Sequence, residues 1–256
     1  MKIISFNIGI KIDNADKVIE YLRSADADIV CLQEALRPLD KKVLPLYRSV
    51  EAILNSLGGL YPHYFFAPEW VADRFERDGA VYRDLGGCAE QGKLILSKYP
   101  IVRGYNYFYY KTYEFDRSRT KFEEGNDHGR ALQVCDINVD GKIIQLGNVH
   151  GAYSADKKDT KISVVQSNFV VAKLKERNLP AILLGDFNLH PDTESVAIIE
   201  KSYSNNNKIF NISSTRPNGQ AIDYLFTDDS IEVKSLAVDA TDISDHYPLI
   251  AELKLK

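Results

Sequence analysis

The chain has 256 residues, 45% of them apolar, which suffices for one sizeable core, and we expect a single domain over residues 1–256. The net charge of −4 and the isoelectric point near 5.8 disfavour a strongly basic protein that coats nucleic acid, although a local basic groove stays open. The N-terminal residues lack a signal-peptide pattern, and no apolar run approaches the ~18 residues of a membrane span, so we expect a cytoplasmic monomer.

Short runs of apolar and β-branched or aromatic residues, many of them bounded by turn residues, predict β-strands along the whole chain. In chain order the predicted strands are 2–8, 28–33, 63–67, 93–97, 131–139, 142–149, 181–185, 221–227, 231–238 and 248–253. The dipeptide Asp140-Gly141 between two of these runs predicts a tight hairpin, because both residues readily take the positive φ that such turns need.

Helical periodicity appears between some of the strands. One helix is marked by apolar residues over 18–25, with Asn14 as a candidate N-cap, and a second is predicted over about 44–57. A short helix is also predicted after Pro191. The remaining predicted helix carries an apolar stripe formed by Ile162, Val165, Phe169 and Ala172. Because strands outnumber helices, the pattern predicts an α/β domain with two packed sheets and helices outside.

The three cysteines, Cys31, Cys88 and Cys135, lie far apart in apolar or small-residue surroundings. Their odd number and their spacing disfavour a disulfide framework or a zinc site. We therefore expect them to be small core residues.

Polar side chains stand at the ends of strand after strand. The set consists of Asn7, Glu34, Asn148, His150, Asp186, Asn188, Asp223, Asp245 and His246. If these strand ends meet at one edge of packed sheets, they gather carboxylates, amides and two histidines in one place. Such an oxygen-rich site suits Mg²⁺ or Mn²⁺. A hard cation with histidines and amides nearby is typical of phosphoryl transfer.

The spacing within two of these motifs supports that interpretation. Residues two apart in an extended strand share a face, so Asn148 with His150, and Asp186 with Asn188, can each point the same way. Gly185 is expected to leave room where a bound group approaches the backbone. Each motif alone also has a simpler interpretation, since Gly-Asp-x-Asn is often only a turn and a single histidine is often structural. The functional interpretation rests on their joint occurrence.

Together these residues resemble the endonuclease/exonuclease/phosphatase superfamily with the pancreatic deoxyribonuclease-like fold. The matching motifs, in the family's order, are SFNIG (5–9), LQE (32–34), EQGKLILS (90–97), GNVHG (147–151), GDFN (185–188), IDYLF (222–226) and SDHYP (244–248). The resemblance implies a four-layer α/β-sandwich, with two mostly antiparallel sheets face to face and helices outside. It also implies phosphoester hydrolysis that depends on Mg²⁺ or Mn²⁺.

The resemblance implies a role for each residue of the metal and water sites. Glu34 would be the main metal ligand, with Asn7 beside it on metal or phosphate and Asp245 helping to bind metal. Asp186 would orient or deprotonate the attacking water, and Asn188 would hold the phosphate.

Further roles implied by the resemblance fall on the two histidines. His246 would contact the scissile phosphate, and Asp223 would fix the tautomer and orientation of its ring. His150 would be backed by Glu90, and this pair would assist the leaving group as a general acid.

The segment 104–130 is dense in Tyr and Phe interleaved with Lys and Arg. Two interpretations stay open: a substrate-facing loop whose rings stack on bases or sugars, or an amphipathic edge strand followed by a solvated loop. Arg130 and Asn148 are the candidate substrate-binding residues, whereas His128 is expected to be a loop histidine without a role.

Two substrate classes follow. The first is a phosphodiester, possibly nucleic acid, and the alternative is a phosphate on a small molecule or lipid head group. The acidic isoelectric point leans slightly towards the second class, since long polyanions favour basic surfaces. A binding module without catalysis is a weaker third possibility, because it predicts loss of a pivotal residue, and none is lost.

Overall fold

Two packed β-sheets with helices on their outer faces form the fold. The computed structural model describes residues 1–9, 15–77, 80–117 and 128–256. Within these ranges the elements are β1 (Lys2–Asn7), α1 (Ala15–Ala25), β2 (Ile29–Pro38), a 3₁₀ turn (Pro45–Tyr47), α2 (Ser49–Leu57), β3 (His63–Arg77), β4 (Ala80–Ser97), β5 (Ile101–Tyr110), β6 (Arg130–Val139), β7 (Lys142–His150), α3 (Lys161–Lys175), β8 (Ala181–Asp186), α4 (Glu194–Glu200), β9 (Ser204–Asn205), α5 (Asn206–Ile209), β10 (Asp223–Thr227), β11 (Ile231–Val238) and β12 (Leu249–Leu255).

The strand order places the ends of four strands at one edge. Across the described residues, the first sheet has six strands in the order β11-β12-β1-β2-β4-β3, and the second has six in the order β5-β6-β7-β8-β10-β9. The neighbours β1 and β2, and likewise β7 and β8, run parallel, and the other described pairs are antiparallel. Because parallel neighbours end at the same edge, the residues that follow β1 and β2, and those that follow β7 and β8, come together in pairs.

The two sheets share an apolar layer that confirms the expected sandwich. Its fully buried members include Ile29 and Cys31 from β2, and Cys135 and Ile137 from β6. Two of the three cysteines are thus small core residues, as expected, whereas Cys88 is half-buried. The outer face of the first sheet packs on α1 and α2, and that of the second packs on α3 and α4, which makes four layers.

The first helices follow the sequence closely. Helix α1 ends at Ala25 as predicted, while its expected cap, Asn14, lies outside the described residues. The second predicted helix began too early: Pro45 opens a separate 3₁₀ turn, and α2 begins only at Ser49. None of the helices in the described ranges combines the length and apolar character that a membrane crossing requires.

The apolar stripe of α3 coincides only in part with its packed face. Phe169 of the stripe packs partly against the core, whereas Val165 is 52% exposed. The buried positions are Ser163, Gln166, Ser167, Val170 and Leu174. The helix packs a largely polar face inwards because polar side chains on that face form hydrogen bonds with neighbouring elements. Gln166 Oε1 accepts from the Ala152 amide and from the Tyr109 hydroxyl, both at 2.9 Å. An apolar stripe therefore identified only part of the packed face of this helix.

Strands β3, β4 and β5 extend the sheets beyond the predicted runs. β3 and β4 form a long antiparallel ribbon, and β5 is the edge strand of the second sheet. Residues 104–110 of the aromatic segment therefore belong to the edge strand β5, as the second of the two open interpretations held, and 118–127 lies outside the described residues. The expected hairpin between β6 and β7 is confirmed, with φ of 51° at Asp140 and 90° at Gly141.

Candidate functional site

Three predicted site residues form one row across three neighbouring strands. His150 is the register partner of Asp186 across β7 and β8, and Asp186 is the partner of Asp223 across β8 and β10. All three are buried. The row places two carboxylates and an imidazole side by side, because residues directly opposite in adjacent strands lie ~4.5–5.5 Å apart.

His246 is held against this row by Asp223. Its Nδ1 lies 3.0 Å from both oxygens of the Asp223 carboxylate, and its Nε2 lies 3.6 Å from Asp186 Oδ2. Asp223 is fixed in turn by the Thr215 hydroxyl, which donates to Oδ2 at 2.6 Å. Burial alone would lower the pKa of His246, but the carboxylates of Asp223 and Asp186 outweigh it and raise the pKa to about 9. The two carboxylates therefore favour the protonated, positively charged form of this imidazole.

Asp186 and Asn188 form a tight local structure after β8. The backbone N–H of Asn188 donates to Asp186 Oδ1 at 2.8 Å, and the Asn188 backbone has a φ of 57°, a left-handed conformation that Asn tolerates. Burial raises the pKa of the Asp186 carboxyl above its ordinary value, although His246 opposes this shift. A carboxylate with a raised pKa is a better proton acceptor than an ordinary aspartate.

Asn7 and Glu34 approach the row from the other sheet. Asn7 Nδ2 donates to Asp186 Oδ2 at 3.1 Å and to Glu34 Oε1 at 3.4 Å. Its amide oxygen accepts from the Gly9 amide at 3.0 Å, so the amide holds the two carboxylates together by its nitrogen. Glu34 lies in a β-bulge, where Gln33 and Glu34 together oppose Lys93, and it has a φ of 58°. Bulges commonly change the direction of a side chain beside a functional site, and the side chain at this bulge is that of Glu34, which contacts Asn7.

His150 lies between the two carboxylates that Asn7 joins. Its Nε2 is 3.6 Å from Glu34 Oε1 and 3.8 Å from Asp186 Oδ2. The expected partner, Glu90, is engaged elsewhere: it accepts from Arg37 Nε at 2.6 Å and from the Tyr113 hydroxyl at 2.7 Å. In the described structure Glu90 therefore pairs with Arg37 and Tyr113 and does not back His150.

Asp245, expected to bind metal, points to a different partner. Its side chain is 66% exposed and bonds to the Arg216 guanidinium, which also donates to the Asp245 carbonyl at 3.0 Å. The preceding Ser244 supplies the closer link to the site, since its hydroxyl donates to the Asn7 carbonyl at 2.8 Å. In this structure Asp245 is a rim residue whose carboxylate neutralises Arg216.

The two candidate substrate-binding residues are buried beneath the site. Arg130 Nη1 donates to the His150 carbonyl at 3.4 Å. The Asn148 amide is fully buried; it donates to Leu32 O at 3.2 Å and Gln133 Oε1 at 2.9 Å, and accepts from Gln33 Nε2 at 2.7 Å. Asn148 thus ties the two sheets together, and the substrate contact expected of it is replaced by a structural role.

Gly185 also has a structural explanation. With a φ of 132°, a Cβ built on it would lie 2.1 Å from the Val149 carbonyl oxygen. The residue is needed for the close approach of β7 and β8, which aligns His150 with Asp186. The expectation that Gly185 gives room to a bound group is therefore corrected to strand-to-strand packing.

Lys157 is the site residue that the sequence did not reveal. It lies in the loop between β7 and α3, its side chain is buried, and its Nζ donates to Asn188 Oδ1 at 2.6 Å. Burial lowers the pKa of this lysine to about 8, although Asp186 opposes the shift. In the sequence it stands in a charged stretch, SADKKDTK, that resembles an ordinary solvated loop.

Two further buried polar groups were also missed. Lys93 and Glu69 form a fully buried ion pair at 2.6 Å, and Lys93 also donates to the Ala131 carbonyl at 2.8 Å. His128, expected to be a loop histidine without a role, is buried, bonds to Asp116 at 2.8 Å and stacks on the Trp70 ring at 4.5 Å. No spacing in the sequence brings these partners together, because each contact joins distant segments.

The donor set fits a hard divalent cation. Among the described residues, donor atoms of Asp186, Asp223 and His246 lie within 4.8 Å of one another. Asp223 and His246 already bond to each other, so the oxygens best suited to a cation belong to Glu34 and Asp186, which converge on Asn7. Two carboxylates drawn together in this way suit Mg²⁺ or Mn²⁺.

Solved structures show the same fold. An endonuclease/exonuclease/phosphatase from Beutenbergia cavernae DSM 12333 superposes with a TM-score of 0.76 at 17% identity, over 100% of this chain and 71% of that one. A Bacteroides thetaiotaomicron mannosyl-6-phosphatase gives a TM-score of 0.65 at 17% identity, over 100% of both chains. The human Nocturnin catalytic domain with bound sulfate gives 0.67 at 16% identity, over 100% of this chain and 94% of that one.

Sequence comparison assigns the family directly. Among curated proteins, no sequence matches this chain. The model of the Endonuclease/Exonuclease/phosphatase family matches residues 4–246, nearly the whole length, and so covers all the strand ends described above. The chain therefore belongs to the endonuclease/exonuclease/phosphatase family, whose members hydrolyse phosphoester bonds.

Proposed function

We propose that this protein is a divalent-metal-dependent phosphoester hydrolase in which Asp186 activates the attacking water. The observation that carries the proposal is the convergence on Asp186 Oδ2 of Asn7, His150 and His246, with distances of 3.1, 3.8 and 3.6 Å. A buried carboxylate flanked by imidazoles and by a second carboxylate is suited to accept a proton from water and to leave room for a cation.

The proposed chemistry divides the work among these residues. Glu34 and Asp186 would hold Mg²⁺ or Mn²⁺, which when bound offsets charge on the phosphoryl oxygens. Water attacks phosphorus as its proton passes to Asp186, and the bond to the leaving oxygen breaks. The charged His246 would contact a non-bridging oxygen, while Asp223 keeps its ring in place. His150 is the proposed proton donor to the leaving oxygen.

Phosphodiesters, including nucleic acid, are the first substrate class to test. Phosphates on small molecules or lipid head groups are a second candidate, because the structure of the aromatic segment weakens one argument for nucleic acid. Its 105–109 part is used for packing: the Tyr109 hydroxyl bonds to Gln166 on α3, and Tyr105 stacks on Tyr107 at 5.3 Å. These rings therefore lend less support to base stacking than the sequence did. The mannosyl-6-phosphatase among the structural neighbours is consistent with the second class.

An activity panel tests the proposal. Bis-p-nitrophenyl phosphate, p-nitrophenyl phosphate, a single-stranded oligonucleotide, a supercoiled plasmid and sphingomyelin should each be assayed with Mg²⁺, Mn²⁺ or EDTA. We expect hydrolysis of at least one substrate that EDTA abolishes and that His246→Ala lowers by about 10²- to 10⁴-fold. Activity that persists in EDTA, or a fully active His246→Ala protein, would contradict the mechanism. Oligonucleotide or plasmid cleavage without hydrolysis of p-nitrophenyl phosphate would establish the first class.

A further inference from the structure

Lys157 is the one buried side chain in the loop segment 153–160. Its relative exposure is 3%, whereas the adjacent Lys158 is exposed. A lysine normally keeps its ammonium group in water, because burying an unpaired charge is costly. The loop therefore folds so as to bring this particular cation inside.

The backbone of the loop supports that placement. Lys157 has a φ of 57°, which is unfavourable for a residue with a long side chain. Two backbone hydrogen bonds hold it there: its amide donates to the Ser154 carbonyl at 3.3 Å, and its carbonyl accepts from the His190 amide at 2.8 Å. Non-glycine residues kept in the left-handed region often occur at functional positions, so the conformation supports a function for this side chain.

In the part of the chain that the structure describes, the direct partners of the ammonium group are uncharged. Its Nζ donates to Asn188 Oδ1 at 2.6 Å and lies 3.8 Å from the centre of the Tyr153 ring. Among the described residues no carboxylate comes within ion-pair distance of it, in contrast to the buried Lys93, which pairs with Glu69 at 2.6 Å. An ammonium group carries three N–H donors, so it can bind an anion while it keeps the Asn188 bond.

Its position relative to Asn188 indicates which anion that is. Because Lys157 donates to Asn188 Oδ1, the carboxamide turns its Nδ2 towards Asp186 Oδ2, 3.4 Å away, and the Gly151 carbonyl, 3.3 Å away. The Lys157 ammonium group thus fixes the orientation of the Asn188 side-chain amide. Both groups lie close to Asp186, the proposed water-activating carboxylate. A phosphoryl oxygen at this point would find a charged donor and an oriented amide together.

We propose that Lys157 binds a non-bridging oxygen of the substrate phosphoryl group and holds Asn188 in the orientation that binds the same group. The proposal deepens the proposed function and rests on it for the identity of the anion. It adds the Lys157 side chain, from the loop between β7 and α3, to the phosphate-binding surface.

Direct binding of inorganic phosphate tests this assignment without requiring turnover. Its dissociation constant should be measured by calorimetry at constant ionic strength, with and without Mg²⁺, for the wild type, Lys157→Met, Lys157→Arg and Lys158→Met. We expect Lys157→Met to weaken binding by about 10- to 100-fold, since a hydrogen bond from a charged donor is lost. Lys157→Arg should retain much of the affinity, and the exposed Lys158→Met should bind within twofold of the wild type.

The outcomes separate the two proposals. A folded Lys157→Met protein that binds phosphate as tightly as the wild type overturns the assignment, and so does a wild type that binds no phosphate at millimolar concentration. Phosphate binding that depends on Lys157 in a protein without hydrolytic activity would uphold the assignment and reject the proposed function. Should Lys157→Met fail to fold, Lys157→Gln replaces it in a double-mutant cycle with Asn188→Ala. The cycle measures how far the two side chains depend on each other for phosphate binding, and additive effects of the two substitutions would contradict the proposed coupling.

Discussion

The Asp223 carboxylate faces His246 Nδ1 with both of its oxygens, each 3.0 Å away. This geometry leaves Nε2 of the ring beside Asp186, at 3.6 Å. A carboxylate that bonds one ring nitrogen determines how the other nitrogen is presented. Asp223 therefore acts on the imidazole in two ways, because it favours the charged form of the ring and fixes its orientation.

Asp223→Asn should lower kcat by about 10²- to 10⁴-fold, because the ring loses its charged partner and its fixed tautomer. The pKa of His246 should fall at the same time, since burial then acts with less opposition. Thr215→Val is the matched control: it removes the 2.6 Å hydrogen bond to the same carboxylate and should cost only about tenfold. Steady-state kinetics with an NMR titration of the ring measures both effects, and equal losses in the two variants would contradict the assignment.

The raised pKa of His246 predicts a pH dependence of stability in the metal-free protein. The folded pKa of about 9 exceeds the ordinary 6.5, so the charged ring stabilises the fold fully below pH 6.5, and this contribution is lost as pH rises through 9. The difference in unfolding free energy between the wild type and His246→Gln should fall over this interval, by on the order of 3 kcal/mol. Urea unfolding at a series of pH values measures it, and a difference independent of pH would show that folding does not raise the pKa of the ring.

The backbone of Glu34 predicts a trade of stability against metal binding. Its φ of 58° is left-handed, which costs an ordinary residue ~1–2 kcal/mol relative to glycine. Both variants lose the carboxylate, but Glu34→Gly should have a Tm about 2–8 °C above that of Glu34→Ala. Both should also need far more Mg²⁺ for half-maximal activity. Thermal unfolding and a metal titration check the two parts separately, and an unchanged metal requirement would place the cation elsewhere.

The approach of β7 and β8 predicts that Gly185 tolerates no side chain. Gly185→Ala would place Cβ 2.1 Å from the Val149 carbonyl oxygen, so the strands must separate and the alignment of His150 with Asp186 is lost. We expect at least 3 kcal/mol of destabilisation, in the range of severe core changes, with loss of activity. Gly141→Ala is the control, since it has a φ of 90° but nothing within 4 Å of its Cβ. Similar stabilities of the two variants would refute this explanation of the glycine.

The residues at the strand ends could be predicted from the sequence because their positions follow from strand periodicity. Asn7, His150, Asp186 and Asp223 each end or begin a strand, and the parallel pairs bring those ends to one edge. The fold class followed from the same pattern. The bulge at Glu34 does not follow from periodicity, because it arises only when β4 pairs with β2.

Contacts between distant segments account for what the sequence did not show. The engagement of Glu90 by Arg37 and Tyr113, and the turn of Asp245 towards Arg216, join residues from separate loops and strands. The burial of Lys157 depends on a loop conformation that a charged, polar stretch does not announce. In α3, side-chain hydrogen bonds such as that of Gln166 help to determine which face is buried, and the apolar stripe in the sequence does not show them.

The row formed by His150, Asp186 and Asp223 makes backbone pairing responsible for the alignment of these three groups. Sliding β8 by one residue would carry Asp186 to the opposite face, so this alignment persists only while the register of the ladder is kept. Loops that carry none of the residues named above are consequently free to diverge. Exchanging such loops between relatives is then a route to new substrate preferences on an unchanged reaction centre.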